Sequence, residues 1–238
     1  MKRISILLVA ALALLATACD RTSPVGAPLA SGSGCERLIG DHPEDRTVNR
    51  TYNQTEGTRP NGRYPRVDGA FSGTTEEIIE WAACKWGIDR DWAKAQIWKE
   101  SYWQQTTLGD FTTNSQACIP GKGIGDYPAQ WNGDRTHSGE CPESVGLGQV
   151  RYLYHKEAFA DGNAVRSSAY NVDYTYAVWR DCYEGRLTWL NTVERGREYR
   201  AGDMLGCMGV WFSGRWYTPA AQQYIDAVRA IHDRKPWG

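Results

Sequence analysis

The chain has 238 residues, with 27 Lys and Arg against 28 Asp and Glu, and a formal net charge of −1. That balance argues against a protein held on nucleic acid or on an anionic membrane surface by charge alone, and the length suits a single folded domain. The aromatics are 11 Trp and 13 Tyr beside only 4 Phe, a bias toward rings with a flat apolar face and a polar edge.

In chain order, Lys2 and Arg3 precede an apolar run from Ile4 to Leu15, and Ala16-Thr17-Ala18-Cys19 follows. This is the pattern of a cleaved export signal, and the run is too short for a lasting membrane span. A Cys directly after small residues resembles a bacterial lipoprotein box. The resemblance implies that residues 1–19 are a signal peptide, that Cys19 carries lipid, and that the protein is anchored in the cell envelope. Ordinary secretion with cleavage nearby is the alternative.

Cys35, Cys84, Cys118, Cys141, Cys182 and Cys207 remain after Cys19 is set aside. An even set in an exported chain points to three disulfides. Many pairings are open; the expectation joins neighbours, as Cys35–Cys84, Cys118–Cys141 and Cys182–Cys207. No Cys-x-x-Cys occurs, and the four histidines show no ligand spacing, so no metal and no cofactor are expected. Gly121-Lys122-Gly123-Ile124-Gly125 lacks the flanking strand and helix of a nucleotide loop.

Residues 20–34, with Pro24, Pro28 and Ser31-Gly32-Ser33-Gly34, read as a flexible tether. Residues 35–72 have no strong period and read as an irregular wrap tied down by Cys35. Residues 73–238 hold the periodic segments and read as one globular domain. There Thr74 to Glu77 is a capping box that opens a helix through Trp86, with Gly87 closing it. Asp89 caps a second helix through about Trp103. Residues 108–143 are loop-like, and Gly146 to Val150 is a turn or short hairpin. Further helices are expected over Ser167–Tyr183 and Asp203–Ser213, and a last one begins at Thr218-Pro219. Its apolar stripe is Ala221, Ile225, Val228 and Ile231.

Glu100 is the residue that carries chemistry. Its helical neighbours at three and four positions are Gln96, Ile97, Trp103 and Gln104, none of them cationic. A carboxyl on such a strip loses hydration without gaining a counter-charge, which raises its pKa and suits a general acid. Downstream, Gly146-Leu147-Gly148-Gln149 is a turn in which glycines admit close backbone approach. Gln149 and Ser144 offer donors and acceptors of the kind amino sugars require.

Together these segments resemble a soluble-type lytic transglycosylase domain of the lysozyme-like, goose-type lysozyme superfamily. Ala95-Gln96-Ile97-Trp98-Lys99-Glu100-Ser101 is similar to that family's catalytic helix. Ser144 to Val150 is similar to its Gly-Leu-Met-Gln turn, with Gly148 in place of Met. Gly209-Val210-Trp211-Phe212-Ser213-Gly214 falls where the family has Ala-x-Tyr-Asn-x-Gly. The resemblance runs from about Ile78 to Val228.

It implies a mainly α fold with a small β-hairpin, of the α+β lysozyme-like kind. It also implies cleavage of the MurNAc–GlcNAc β-1,4 bond of peptidoglycan, with Glu100 as acid and then base and a 1,6-anhydro product. Ser101, Ser144, Gly146, Leu147, Gln149, Trp211 and Tyr217 would bind substrate. The implied partners are peptidoglycan glycan strands and, through Cys19 alone, a membrane; no nucleic acid is implied, and the protein is expected as a monomer.

Three departures stand beside the likeness. Glu100 and Gly146 lie 46 positions apart, longer than the family's usual spacing. The excess contains Cys118 and Cys141, hence an expected disulfide-closed loop beside the cleft. Trp211-Phe212 replaces Tyr-Asn, so Tyr217 or Tyr170 is a candidate for the missing phenol. Asp110, Asp126, Asp134 and Glu143 raise a lysozyme-type hydrolase as an alternative, and the lost Tyr-Asn pair raises a non-catalytic peptidoglycan-binding module.

Overall fold

A computed structural model describes residues 20–43, 46–57, 61–130, 133–194 and 196–238. The expected signal peptide and Cys19 lie outside them. The fold is mainly helical with small antiparallel sheets and three disulfides. The helices are α1 (Gly32–Glu36), α2 (Arg50–Asn53), α3 (Thr75–Trp86), α4 (Arg90–Ser101), α5 (Asn163–Arg166), α6 (Ser168–Tyr183), α7 (Met204–Ser213) and α8 (Pro219–Arg234). The strands are β1 (Leu108–Gly109), β2 (Gly125–Tyr127), β3 (His137–Glu140), β4 (Ser144–Val145) and β5 (Val150–Arg151), arranged as β1-β4-β5 and β2-β3.

The local signals form the helix ends they predict. The Thr74 amide donates to Glu77 Oε2 at 2.8 Å and the Glu77 amide to Thr74 Oγ1 at 3.4 Å, a complete capping box. At the other end of α3, Gly87 takes φ +63°, with Gly87 N–H on the Cys84 carbonyl and Ile88 N–H on the Ala83 carbonyl. That is the Schellman pattern. Asp89 Oδ1 accepts from the amides of Asp91 and Trp92 at the start of α4. Thr218 precedes Pro219 at α8, but its hydroxyl makes no capping bond.

The chain forms two compact units, and each draws on residues from both sides of 73. The first contains residues up to Asp41, Ile79–Gln96 and Val178–Gly238; the second contains His42–Ile78 and Ile97–Ala177.

In the first unit, Ala221, Ile225, Val228 and Ile231 of α8 are buried as the stripe predicts. Gly209 of α7 lets the two helices approach: a side-chain carbon there would lie 3.0 Å from Ile225 Cδ1 and 3.2 Å from Ala221 Cβ. Cys35–Cys84 and Cys182–Cys207 close this unit. Residues 20–34 are not a free tether. Buried Arg180 donates to the carbonyls of Ser23 and Pro24 at 3.0 and 2.8 Å, and the Ser23 amide donates to the Gly87 carbonyl at 2.8 Å. Pro, Gly and Ser content alone carries no information about such a distant cation.

In the second unit, β4 and β5 pair as Ser144 with Arg151 and Val145 with Val150, so Gly146–Gln149 is the hairpin turn. The stretch 108–143 is more structured than a loop. It holds β1, which pairs with β4, and the β2-β3 hairpin, and Cys118–Cys141 staples it. His137 sits between Asp134 and Glu140 at 3.0 and 2.8 Å, with Phe111 stacked on its ring. These pairings join residues distant in sequence and leave no local period to read.

Candidate functional site

The site is built in the second unit around the end of α4. Ile97 is fully buried, Lys99 faces solvent, and Glu100 is half-buried in the last turn. The helix ends at Ser101, earlier than the expected Trp103, because Tyr102 and Trp103 take φ of 50° and 61°. Two left-handed non-glycine residues in a row cost roughly 1–2 kcal/mol each, so something must hold them. The segment read as an irregular wrap supplies it. Asn49 Nδ2 donates to the Trp103 carbonyl at 2.6 Å, Asn49 Oδ1 accepts from the Gln105 amide at 2.8 Å, and Arg46 Nε donates to the Tyr102 carbonyl at 2.9 Å. The reversal drives Trp103 fully into the core and leaves Tyr102 41% exposed. Tyr102 and Trp98 pack against each other at the helix end, with ring centroids 5.5 Å apart.

The Glu-Ser helix end and the glycine turn meet. Ser101 Oγ donates to the Leu147 carbonyl at 2.9 Å, and Thr107 Oγ1 donates to the Ser101 carbonyl at 3.3 Å. The turn itself is braced from two more sides. Gln105 Oε1 accepts from the Leu147 amide at 3.2 Å, Asn171 Oδ1 from the Gly148 amide at 2.8 Å, and Asn171 Nδ2 donates to the Val145 carbonyl at 3.0 Å. Gly146 has φ +88°, and a side-chain carbon at Gly148 would lie 2.0 Å from Thr175 Oγ1. Thr175 thus fills the space that any side chain at position 148 would need.

Several residues expected to bind substrate do something else. Ser101 and Leu147 are fully buried; they join helix to turn and do not face a ligand arriving from solvent. Gln149, at φ 52°, folds its amide back across the turn. Its Nε2 donates to the carbonyls of Thr107 and Gly146 at 3.1 and 2.9 Å, while Oε1 accepts from Ser144 Oγ at 2.9 Å. Both amide protons are committed to the backbone, and Ser144 is itself buried. Gly109 keeps the space for this arrangement, since a side-chain carbon there would lie 2.4 Å from Gln149 Oε1.

Trp211 and Tyr217 belong to the first unit. Trp211 is half-buried in α7. Tyr217 donates its hydroxyl to Asp203 Oδ1 at 2.9 Å, and Arg197 lies over its ring at 3.4 Å. Burial, with Asp203 beside it, pushes the Tyr217 phenol up to about 12. Tyr170, the other candidate phenol, is buried and held by Asn61 Nδ2 at 3.1 Å. The phenol that senses Glu100 is Tyr176. It is fully buried; burial first, and the charge of Glu100 second, raise it well above its ordinary value, so it stays protonated.

Sequence reasoning missed Tyr176, along with Gln105, Asn171 and Thr175. The available signal was in α6, where Asn171 and Thr175 stand four apart among buried aromatic and apolar residues, with Ser168, Asp173 and Arg180 buried on the same helix. Of the acids raised for hydrolysis, Glu143 is buried and receives Arg151 Nε at 2.6 Å, and Asp126 accepts from Ser138 Oγ at 2.6 Å. Asp134 is held below the usual carboxylate range by the Gln130 amide and then His137.

No family model, curated protein or solved structure matches the chain.

Proposed function

We propose that this protein is an envelope lytic transglycosylase with a lysozyme-like catalytic domain, acting on the MurNAc–GlcNAc β-1,4 bond of peptidoglycan. The observation that carries the reading is the Ser101–Leu147 hydrogen bond, because it joins the helix end bearing Glu100 to the glycine turn. Half-burial of Glu100, with the fully buried Tyr176 phenol close enough to feel its charge, supports a carboxyl partly withdrawn from bulk solvent.

In the proposed reaction, Glu100 donates its proton to the glycosidic oxygen as the C1–O bond breaks. The MurNAc acetamido group stabilises the developing positive charge at C1, and the GlcNAc-side fragment leaves as an alcohol. The carboxylate then removes the C6 hydroxyl proton as that oxygen closes on C1, which yields a 1,6-anhydro end and restores the acid. Water is not consumed and a second carboxylate is not required, a substrate-assisted departure from two-carboxylate glycosidases. The burial of Glu143 and its contact with Arg151 favour this route over hydrolysis, because they occupy the carboxylate nearest the turn within the fold.

Three disulfides are compatible with an exported protein, and Cys19 is proposed as the lipid anchor. A second reading, a peptidoglycan-binding module without catalysis, is favoured by the inward-turned amide of Gln149.

Digestion of purified sacculi, with mass analysis of the released fragments, tests these readings. Anhydro ends support the transglycosylase, reducing ends identify a hydrolase, and sacculus binding with no release identifies a binder. Glu100→Gln is expected to lower release by about 100- to 10,000-fold, the range ascribed to general acid–base catalysis, while sacculus pull-down persists. Undiminished release by that variant would remove Glu100 from the mechanism.

A further inference from the structure

The residues immediately after Cys19 are built into the first unit. Asp20 pairs with Arg90. Thr22 Oγ1 accepts from the Asp89 amide at 3.3 Å. Ser23 N–H donates to the Gly87 carbonyl, and the Gly26 amide donates to Glu184 Oε2 at 2.9 Å. Glu184 also pairs with Arg180, whose guanidinium donates to the carbonyls of Ser23 and Pro24.

Two features make this a built seat. Arg180 is only 1% exposed, and a buried guanidinium needs acceptors for its protons; residues 23 and 24 supply two of them. Gly87 does double duty. It ends α3, and a side-chain carbon there would lie 2.8 Å from Ser23 Cβ and 2.9 Å from Leu29 Cδ2, so only glycine leaves room for the segment.

We propose that residues 20–29 are a strap which, with lipid on Cys19, seats the first unit directly against a phospholipid bilayer with no spacer between anchor and fold. The inference rests on the lipid-anchor part of the reading above and not on its glycan chemistry. Consecutive Cα atoms are about 3.8 Å apart, so fixing Asp20 on Arg90 fixes the anchor point within one residue of folded protein. A free tether over residues 20–34 would instead give a reach of roughly 20 Å r.m.s.. The exposed side chains of Arg21 and Val25 flank the exit, a cation and an apolar group suited to a headgroup layer.

The full chain, purified from a lipidating bacterial host, would carry a fluorophore on Asp91→Cys, next to Arg90. It would be placed in phosphatidylethanolamine–phosphatidylglycerol vesicles that contain a headgroup-level quencher. Strong quenching is expected. It should be largely lost when about ten Gly-Ser residues, spanning roughly 17 Å r.m.s., are inserted between Cys19 and Asp20. Arg180→Gln, which releases the strap, should lose it as well. Should that variant fail to fold, the insertion decides, because it alters no folded residue. Quenching that is unchanged by the insertion, with Cys19 shown by mass to be acylated, overturns the strap alone. An unmodified Cys19 overturns the anchor and the strap together.

Discussion

At the scale of single residues, the site depends on atoms that never touch a ligand. Ser101 contributes a hydroxyl to the Leu147 carbonyl, and Thr175 decides which residue can stand at position 148. Gly148→Ala is expected to destabilise the protein by about 1–3 kcal/mol through overpacking. Thr175→Ala in the same chain should recover part of that loss, a coupling measurable by denaturant unfolding of the two single variants and the pair. Strictly additive losses would show that the two positions do not share the space. The turn at Gly146–Gln149 was legible in the sequence because its glycines mark it. The inward rotation of the Gln149 amide was not, since a glutamine reads alike whether it faces its own backbone or a sugar. Tyr176 was hidden for a related reason: a tyrosine within an aromatic helix has no local mark of what it faces.

Among the elements, legibility followed the reach of the controlling interactions. Helix starts at Thr75 and Arg90 and the stop at Gly87 are set by neighbours three to five positions away, and they were predicted closely. The end of α4 is set by Asn49 and Arg46 from across the second unit, and its prediction overran. The β2-β3 hairpin has only short strands and a register shift between Gly125 and Asp126, so no two-residue alternation marks it. The pairing of all six described cysteines between sequence neighbours was foreseen as a whole. Within this scale, Cys118–Cys141 closes a separation of 23 residues. Replacing both with Ser should cost about 3 kcal/mol on the chain-entropy view, read as a lowered midpoint in thermal unfolding. An unchanged midpoint would mean that β1, β2 and β3 hold the segment without the staple.

For the whole molecule, acid is a destabilising condition with an identifiable source. His155, half-buried and 3.0 Å from the Tyr174 hydroxyl, is pulled down to about 4 by burial, against an opposing pull from Glu157. The native state therefore binds fewer protons than the unfolded chain between about pH 6.5 and 4. Stability is complete above that window and declines as pH falls through it, by at most about 3 kcal/mol from this ring. His155→Gln should flatten the dependence of the unfolding midpoint over the same range; an equally steep profile would assign the acid sensitivity elsewhere.

Of the four places where the chain passes from one unit to the other, those after Ile78, Gln96 and Ala177 fall inside helices, and the first, after Asp41, does not. Trimming to residues 73–238 would take away Cys35 and leave Cys84 without its disulfide partner. It would also delete Asn49 and Arg46 from behind the reversal at Tyr102. Such a shortened protein should run as cross-linked dimers on a non-reducing gel, while the complete chain stays monomeric. A practical reading of this topology is that the apparently dispensable first 72 residues are as much a part of the fold as the helices that follow them.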